Sequence, residues 1–249
     1  MYKLNKKDKK MRNLEVCLSP ALVDLHELEG KIVVVIDILR ATSCITAGLA
    51  TGVEKIVPVA TIEETLSYRQ KGFLVAGERN GKKIEGFDLG NSPFNYMARE
   101  CQGKSVVITT TNGTQAIKKS LPAKEIIIGS FLNLSAIVKY LQHKQEDIVL
   151  FCAGWKNRFN MEDTLFAGAV AEQLAQEVEM NCDASLAARQ LFLQAREDIA
   201  GFLQNSSHVK RLGRLNGAED VQFCSKIDKF DIVPILQGNE ILPHLPYKG

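Results

Sequence analysis

The sequence has few of the residues that build zinc sites or disulfide frameworks. Its six cysteines lie far apart without a C-x-x-C pair, and only four histidines occur among 249 residues. Structural zinc sites and disulfide frameworks need cysteines or histidines at close, regular spacings, so neither is expected. We interpret the cysteines as small apolar core residues.

Long apolar runs are also absent. No stretch approaches the roughly 20 residues needed to cross a bilayer, and no apolar segment follows the lysine-rich N-terminus as a secretory signal would require. The hydrophobic content of 45% and the charged content of 24% are ordinary for a soluble globular protein. We therefore expect a cytoplasmic protein that does not bind membranes.

Positive charge is concentrated at the N-terminus. The net charge is +2, yet the first 12 residues hold six basic residues and one acidic residue, which leaves the rest mildly acidic. No basic face with interleaved aromatic residues is evident, so we expect no nucleic-acid partner. Residues 1–13 are interpreted as a disordered basic tail. Met11 is an alternative start that would remove most of it.

The stretch 31–46 is the centre of the predicted fold. Residues 32–36 form an unbroken β-branched apolar run, which is typical of a strand covered on both faces in an α/β sheet. Further strands are predicted at 55–59, 73–76, 105–109, 125–128 and 148–152. Because helical segments separate most of them, we predict a three-layer α/β/α fold with a largely parallel or mixed sheet, in one domain over 14–249.

Several flanking elements are predicted with less regular patterns. Ser19-Pro20 is expected to begin a helix that ends near Leu28, and 184–203 is expected to be helical. Two late segments, 220–225 and 231–235, are predicted to be short strands.

Polar side chains follow several predicted strands at the point where each strand ends. In an open parallel sheet these ends meet at one edge, where ligands bind beside helix N-termini. We therefore expect these side chains to converge on one site. They are Asp37 with Arg40, Glu78 with Arg79, Thr110–Asn112, and Glu162 with Asp163.

The carboxylates favour a hard cation. Carboxylate, hydroxyl and amide oxygens without a His or Cys cluster suit Mg²⁺, which binds through one or two carboxylates together with a phosphate. The candidate metal ligands are Asp37, Asp88, Glu162 and Asp163. We expect only some of them to serve.

The remaining polar residues suggest a binding site for a small, doubly anionic substrate. Arginine binds phosphate or sulfonate through two parallel hydrogen bonds, and hydroxyl and N–H groups can cradle the other oxygens. The candidate substrate-binding residues are Arg40, Arg79, Asn91, Thr110, Thr111 and Thr114. The candidate catalytic residues are Asp37, Asn112, and Glu78 as general acid or base.

Each motif also has a structural interpretation. Asp37 could cap a helix and pair with Arg40, and Glu162-Asp163 could complement a helix dipole. Asn112-Gly113 is a hairpin signal, although Ala116 to Lys119 favours a strand-to-helix loop. His208 is interpreted as a cap-region or packing residue.

Two nucleophile mechanisms are disfavoured by the sequence. A phospho-aspartate mechanism uses a second Asp two residues after the first, but Leu39 holds that position after Asp37. Cys152 has no His near it in sequence, so we interpret it as structural, and Trp155 as a packing residue. Attack by metal-activated water is therefore favoured.

The motifs together resemble the 2-phosphosulfolactate phosphatase family over residues 14 to 235. The resemblance implies an α/β fold and a Mg²⁺-dependent phosphatase that releases phosphate from 2-phospho-3-sulfolactate in coenzyme M biosynthesis. The basic N-terminal extension is not part of the pattern. The matching segments are Asp37 to Ser43, Gly77 to Arg79, Gly86 to Pro93, Thr110 to Thr114, Gly129 to Asn133, Cys152 to Gly154, Glu162-Asp163, Ser206 with His208, and Asp228 to Pro234.

Two alternatives remain at this point. The pocket could bind a phosphorylated metabolite without turnover, or the same hydrolase chemistry could act on another phosphorylated carboxylic acid. The sequence also leaves a homodimer open.

Overall fold

The computed structural model describes residues 11–215 and 217–245. Its strands are β1 Arg12–Cys17, β2 Ile32–Ile36, β3 Lys55–Pro58, β4 Leu74–Arg79, β5 Lys82–Lys83, β6 Ser105–Thr109, β7 Glu125–Gly129, β8 Ile148–Cys152, β9 Val178–Glu179, β10 Val233–Gln237 and β11 Glu240–His244. Its α-helices are α1 Ala41–Ala50, α2 Ile62–Arg69, α3 Pro93–Tyr96, α4 Gly113–Lys119, α5 Leu134–Gln142, α6 Met161–Gln173, α7 Asp183–Ala195, α8 Ile199–Leu203, α9 Ser207–Gly213 and α10 Ala218–Cys224.

The described strands form one sheet in the order β5-β4-β6-β3-β11-β10-β7-β2-β8-β1-β9. The pairings β2 with β7, β2 with β8, β1 with β8, β3 with β6 and β4 with β6 are parallel. The hairpin of β10 and β11 inserts antiparallel between β7 and β3. The predicted α/β fold with a largely parallel, mixed sheet is therefore confirmed.

Strand β2 is covered on both faces. Val34 belongs to an apolar cluster with Phe166 of α6, whereas its neighbour Val35 belongs to a second cluster with Ile45 of α1. Successive side chains of a strand point to opposite faces, so these clusters lie on the two sides of the sheet. Helices α5, α6 and α7 supply the first cluster and α1, α3 and α4 the second, which gives three layers.

The C-terminal third differs from the sequence prediction. Residues 220–225 were expected as a strand, but α10 covers Ala218–Cys224 and buries Asp220, Val221 and Cys224. That prediction was wrong because a short apolar run can suit a strand or a helix, and its burial here follows helical spacing. The strand expected at 231–235 corresponds to β10, and its partner β11 was not predicted.

Two predicted helices are shorter than expected. The segment 184–203 is divided into α7 and α8, because Asp198 caps α8 by accepting a hydrogen bond from the N–H of Gly201 at 2.9 Å. The segment from Ser19 to Leu28 contains a single 3₁₀ turn at Val23–Leu25.

The N-terminal boundary lies slightly earlier than predicted. Strand β1 begins at Arg12, whose Cα pairs with that of Val178 on β9, so residues 12 and 13 belong to the sheet. Residues 1–10 of the predicted tail lie outside the described residues. In the described part of the chain, no helix is both long and apolar enough to span a membrane.

Candidate active site

Asp37 directly follows β2 in the middle of the sheet's carboxyl edge. The residue is only 6% exposed, and its Oδ1 accepts a hydrogen bond from the N–H of Ala41 at 3.3 Å. The N–H of Asp37 in turn donates to the hydroxyl of Thr42 at 3.0 Å. The first turn of α1 is thus folded back onto the carboxylate.

Other carboxylates surround Asp37 in the protein interior. Burial raises the pKa of Asp37 to about 6; Glu78 and Glu162 add to this effect, while His208 and the N–H of Ala41 oppose it. Burial, followed by the charges of Asp37 and Glu162, also raises the pKa of Asp163 well above its usual range. The site therefore concentrates negative charge where water solvates it poorly.

Asp163 fixes the backbone around the site. Its Oδ1 accepts from the N–H of Ile38 at 2.9 Å, and its Oδ2 accepts from the N–H of Gly154 at 3.0 Å. These bonds join the loops that follow β2 and β8 to the first turn of α6. Because each oxygen already has a backbone donor, Asp163 is suited to positioning the site.

Glu162 differs from its neighbour, because one of its oxygens is unsatisfied. The side chain is fully buried, Oε1 is hydrogen-bonded to Nδ1 of His208, and Oε2 has no hydrogen-bond partner. The ring centre of His208 lies 5.2 Å from that of Trp155. His208 and Trp155 do pack together, but sequence reasoning missed their connection to the buried carboxylate.

Arg40 pairs with a residue that sequence reasoning did not single out. Its Nη1 donates to Oδ2 of Asp220, and its Nη2 donates to the carbonyl oxygen of Gly81 at 3.1 Å. The hydroxyl of Ser92 donates to the other oxygen of Asp220 at 2.6 Å. The suggested ion pair of Arg40 with Asp37 is thus replaced by one with Asp220, which lay hidden in a segment predicted to be a strand.

Glu78 ties two loops together. Its Oε1 accepts from the N–H of Thr111 at 2.7 Å, and its Oε2 accepts from the N–H of Gly81 at 2.6 Å. Glu78 as a whole is 4% exposed. Its position next to Asp37 is compatible with the predicted acid–base role, and these bonds add a role in holding the loops.

Four of the six predicted substrate-binding residues line one cavity of about 350 Å³: Arg79, Thr110, Thr111 and Thr114. The guanidinium of Arg79 is oriented by the carbonyl oxygen of Glu78 at 2.8 Å and the hydroxyl of Thr109 at 3.0 Å. The hydroxyl oxygen of Thr111 is buried without a hydrogen-bond partner. The loop after β6 therefore offers hydroxyl groups beside a cation.

The predicted strand-to-helix loop at Asn112-Gly113 is confirmed, because α4 begins at Gly113. Asn112 Oδ1 accepts from the N–H of Lys156 at 2.9 Å, which links the loops after β6 and β8. A Cβ atom at Gly113 would lie 2.9 Å from Oδ2 of Asp37 and 2.7 Å from the Cβ of Ala41. Only glycine permits this close approach of α4 to Asp37.

Comparisons with known proteins identify relatives of this chain. The sequence model of the 2-phosphosulpholactate phosphatase family matches residues 17–239. The chain belongs to this family. It is 47% identical over 220 residues to a probable 2-phosphosulfolactate phosphatase of Thermotoga petrophila, covering 88% of this chain and 95% of the relative. A protein of the same name from Caldanaerobacter subterraneus is 42% identical over 218 residues, covering 86% of this chain and 90% of the relative.

Two further residues that the sequence analysis predicted for the site of this phosphatase family member are Asp88 and Asn91. Asp88 lies beside the beginning of β4, where its Oδ2 accepts from the N–H of Val75 at 2.8 Å and is 3.6 Å from Nη2 of Arg69. Glu78 lies near the other end of the same strand. The structure therefore does not bring Asp88 to the carboxylates around Asp37. Asn91 is buried, and its Oδ1 has no partner.

The described carboxylates are not grouped so that protein side chains alone would hold a metal ion. Among residues 11–215 and 217–245, no group of three or more His, Cys, Asp or Glu side chains is arranged to hold a metal ion.

Proposed function

We propose that this protein is a phosphoric monoester hydrolase that converts 2-phospho-3-sulfolactate to 3-sulfolactate and phosphate. Family membership supports the reaction, since the relatives carry the name of this phosphatase. The observation that carries the proposal is the position of Asp37, buried between Glu162 and the hydroxyl-lined loop after β6. A phosphoryl group bound there would meet a carboxylate on one side and hydroxyl and N–H groups on the other.

Mg²⁺ is the cofactor that best fits these residues. Glu162 Oε2 is a buried acceptor without a donor, and Asp37 lies beside it with a pKa raised by burial and by neighbouring carboxylates. A cation would satisfy both groups. We assign Asp37 and Glu162 as its protein ligands, because the oxygens of Asp163 already accept backbone N–H bonds. When bound, Mg²⁺ would neutralise charge on the phosphoryl oxygens and help to position water.

The other residues orient the substrate around this pair. In this proposal Thr110, Thr111 and Asn112 orient the phosphoryl oxygens, and Arg79 neutralises them. Glu78 holds the loops of Thr111 and Gly81 through its two accepted hydrogen bonds. The burial of these groups limits access of bulk water, which strengthens each electrostatic contact.

Phosphate release is the direct test of this function. Purified protein would be incubated with 2-phospho-3-sulfolactate, with 2-phospholactate and with 2-phosphoglycerate, each with Mg²⁺ or with EDTA. The proposal expects the highest kcat/KM on the sulfonate substrate and loss of activity in EDTA. Preference for a phosphorylated carboxylic acid without sulfonate would reassign the substrate, and binding without phosphate release would favour the non-catalytic alternative.

A further inference from the structure

A second cavity is connected to Glu162 through His208. It has a volume of about 190 Å³, and its wall includes Gly81, Trp155, His208, Arg211 and Arg214. His208 connects it directly to the site, because this side chain also binds Glu162. Pockets for drug-sized ligands are usually larger, about 300 Å³ or more, so this one suits a small group.

The cavity wall carries two arginines, Arg211 and Arg214, that form no ion pair within the described residues. Neither has an Asp or Glu oxygen within 4.0 Å, in contrast to Arg40 with its partner Asp220. Glu162 acts on Arg211 only at longer range. Nζ of Lys156 lies 5.6 Å from the ring centre of Trp155. An anion that entered the cavity would therefore meet cations that are not already paired.

Arg211 is held in place, but two of its three side-chain nitrogens lack hydrogen-bond acceptors. Its guanidinium carbon lies 4.4 Å from the ring centre of Trp155, a stacked arrangement that fixes the plane of the group. Its Nε and Nη2 are buried without a partner, and its Nη1 has one long bond of 3.5 Å to the hydroxyl of Ser207. Buried donors without acceptors in a native protein often mark the place of an ion or ligand.

We propose that Trp155 and Arg211 form the subsite for the sulfonate or carboxylate group that the substrate keeps after phosphate release. This inference rests on the proposed function and adds Arg211 as a residue that determines which acidic substrate is bound. A planar guanidinium stacked on an aromatic ring presents a fork of donors to a carboxylate or sulfonate. The phosphoryl group then occupies the side of Asp37, and the retained acid occupies the side of Trp155.

Trp155 is the single tryptophan of the chain, so tryptophan fluorescence reports on this subsite alone. Titration of the Mg²⁺-loaded protein with 3-sulfolactate is expected to change the tryptophan fluorescence saturably. Arg211→Gln should weaken 3-sulfolactate binding about 10- to 100-fold, which is the usual effect of losing hydrogen bonds to a charged group. Arg211→Lys should give an intermediate loss, because a lysine keeps the charge without the fork.

Kinetics separate this subsite from the phosphate site. Arg211→Gln should raise KM for the sulfonate substrate by about the same factor and leave kcat nearly unchanged. Inhibition by inorganic phosphate should change less than about twofold, since the proposal places the phosphate at the side of Asp37. Arg196→Gln is the matched control, because Arg196 is exposed and pairs with Glu197 away from the cavity.

The outcomes distinguish the two proposals. Equal losses for 3-sulfolactate and inorganic phosphate, or no loss in Arg211→Gln, would overturn the subsite. Absence of any saturable binding of 3-sulfolactate to the unaltered protein would overturn it too. If the protein binds 3-sulfolactate through Arg211 but releases no phosphate, the proposed reaction fails while the subsite stands.

Discussion

Arg40 and Asp220 lie 180 positions apart in the sequence and form a buried ion pair at the edge of the site. The side chains are 10% and 7% exposed, so removal of one partner leaves a buried charge without compensation. We expect Asp220→Ala to lower the free energy of unfolding by about 3 to 5 kcal/mol in urea titrations.

An exposed ion pair provides the control for this prediction. Lys124 and Glu146 are also hydrogen-bonded, but the lysine side chain is 60% exposed. Glu146→Ala should therefore change the free energy of unfolding by less than about 1 kcal/mol. Similar losses in Asp220→Ala and Glu146→Ala would show that the buried pair does not stabilise the fold as argued.

The assignment of Asp37 and Glu162 as metal ligands predicts a stability effect of Mg²⁺. Saturating Mg²⁺ should raise the melting temperature of the unaltered protein by about 5 to 10 °C, because a ligand at 100 times its Kd contributes about 2.7 kcal/mol. Asp37→Asn and Glu162→Gln should abolish the shift. Glutamine at 162 can still accept the bond from His208, so that variant should remain folded.

Asp88→Asn is the matched control for the metal prediction. Asp88 was a candidate ligand from sequence, but its carboxylate lies next to Val75 and Arg69. This variant should keep the full Mg²⁺-dependent shift and the phosphatase activity. A lost shift in Asp88→Asn with a retained shift in Asp37→Asn would contradict the assignment.

The raised pKa of Asp37 predicts how stability depends on pH without metal. Its folded pKa is about 6 against an ordinary value of 3.8, so the unfolded chain ionises more readily than the folded protein. The penalty is absent below about pH 4, develops as pH rises towards 6, and is complete above it. In EDTA, Asp37→Asn should be more stable than the unaltered protein by on the order of 3 kcal/mol at about pH 7.5.

That difference should disappear at low pH. At about pH 3 Asp37 is protonated in both the folded and the unfolded protein, so urea unfolding of Asp37→Asn and of the unaltered protein should give similar free energies. A constant difference between the two proteins across this pH range would show that something other than ionisation of Asp37 causes it.

The close approach at Gly113 predicts a specific loss of activity. The Cβ of Gly113→Ala would lie 2.9 Å from Oδ2 of Asp37, so α4 or the carboxylate must shift. A displacement of about 1 Å can reduce catalysis by about 100-fold. We expect kcat to fall on this scale, with a stability loss of about 1 to 3 kcal/mol.

Gly213→Ala is the matched glycine control. It lies at the end of α9, and an added Cβ there would meet no heavy atom within 4 Å. Its stability should change by no more than about 0.5 kcal/mol and its kcat should be unaffected. If Gly113→Ala behaved like Gly213→Ala, the packing of α4 against Asp37 would not matter for catalysis.

The sequence by itself determined the main strands of the sheet and the edge of the sheet at which the site lies. Apolar runs such as 32–36 are buried on both faces wherever they pair, and the residue after such a run must emerge at the strand's end, as Asp37 does. Capping is equally local, since the side chain of Thr61 before α2 accepts a hydrogen bond from the N–H of Glu64, three residues later. Order along the chain was enough to bring Asp37, Glu78, Thr111 and Glu162 to one edge.

Only the tertiary structure decided which polar groups meet. Arg40 finds Asp220, Glu162 finds His208, and Trp155 stacks on Arg211 through contacts between distant parts of the chain, which local patterns do not encode. It also separated Asp88 from the other carboxylates, because the loop after β5 returns it to the beginning of β4. The alternation of apolar residues determines only the helices and strands themselves. The packing of the whole sheet against its helices sets the distances between side chains, and these distances decide which side chains become partners.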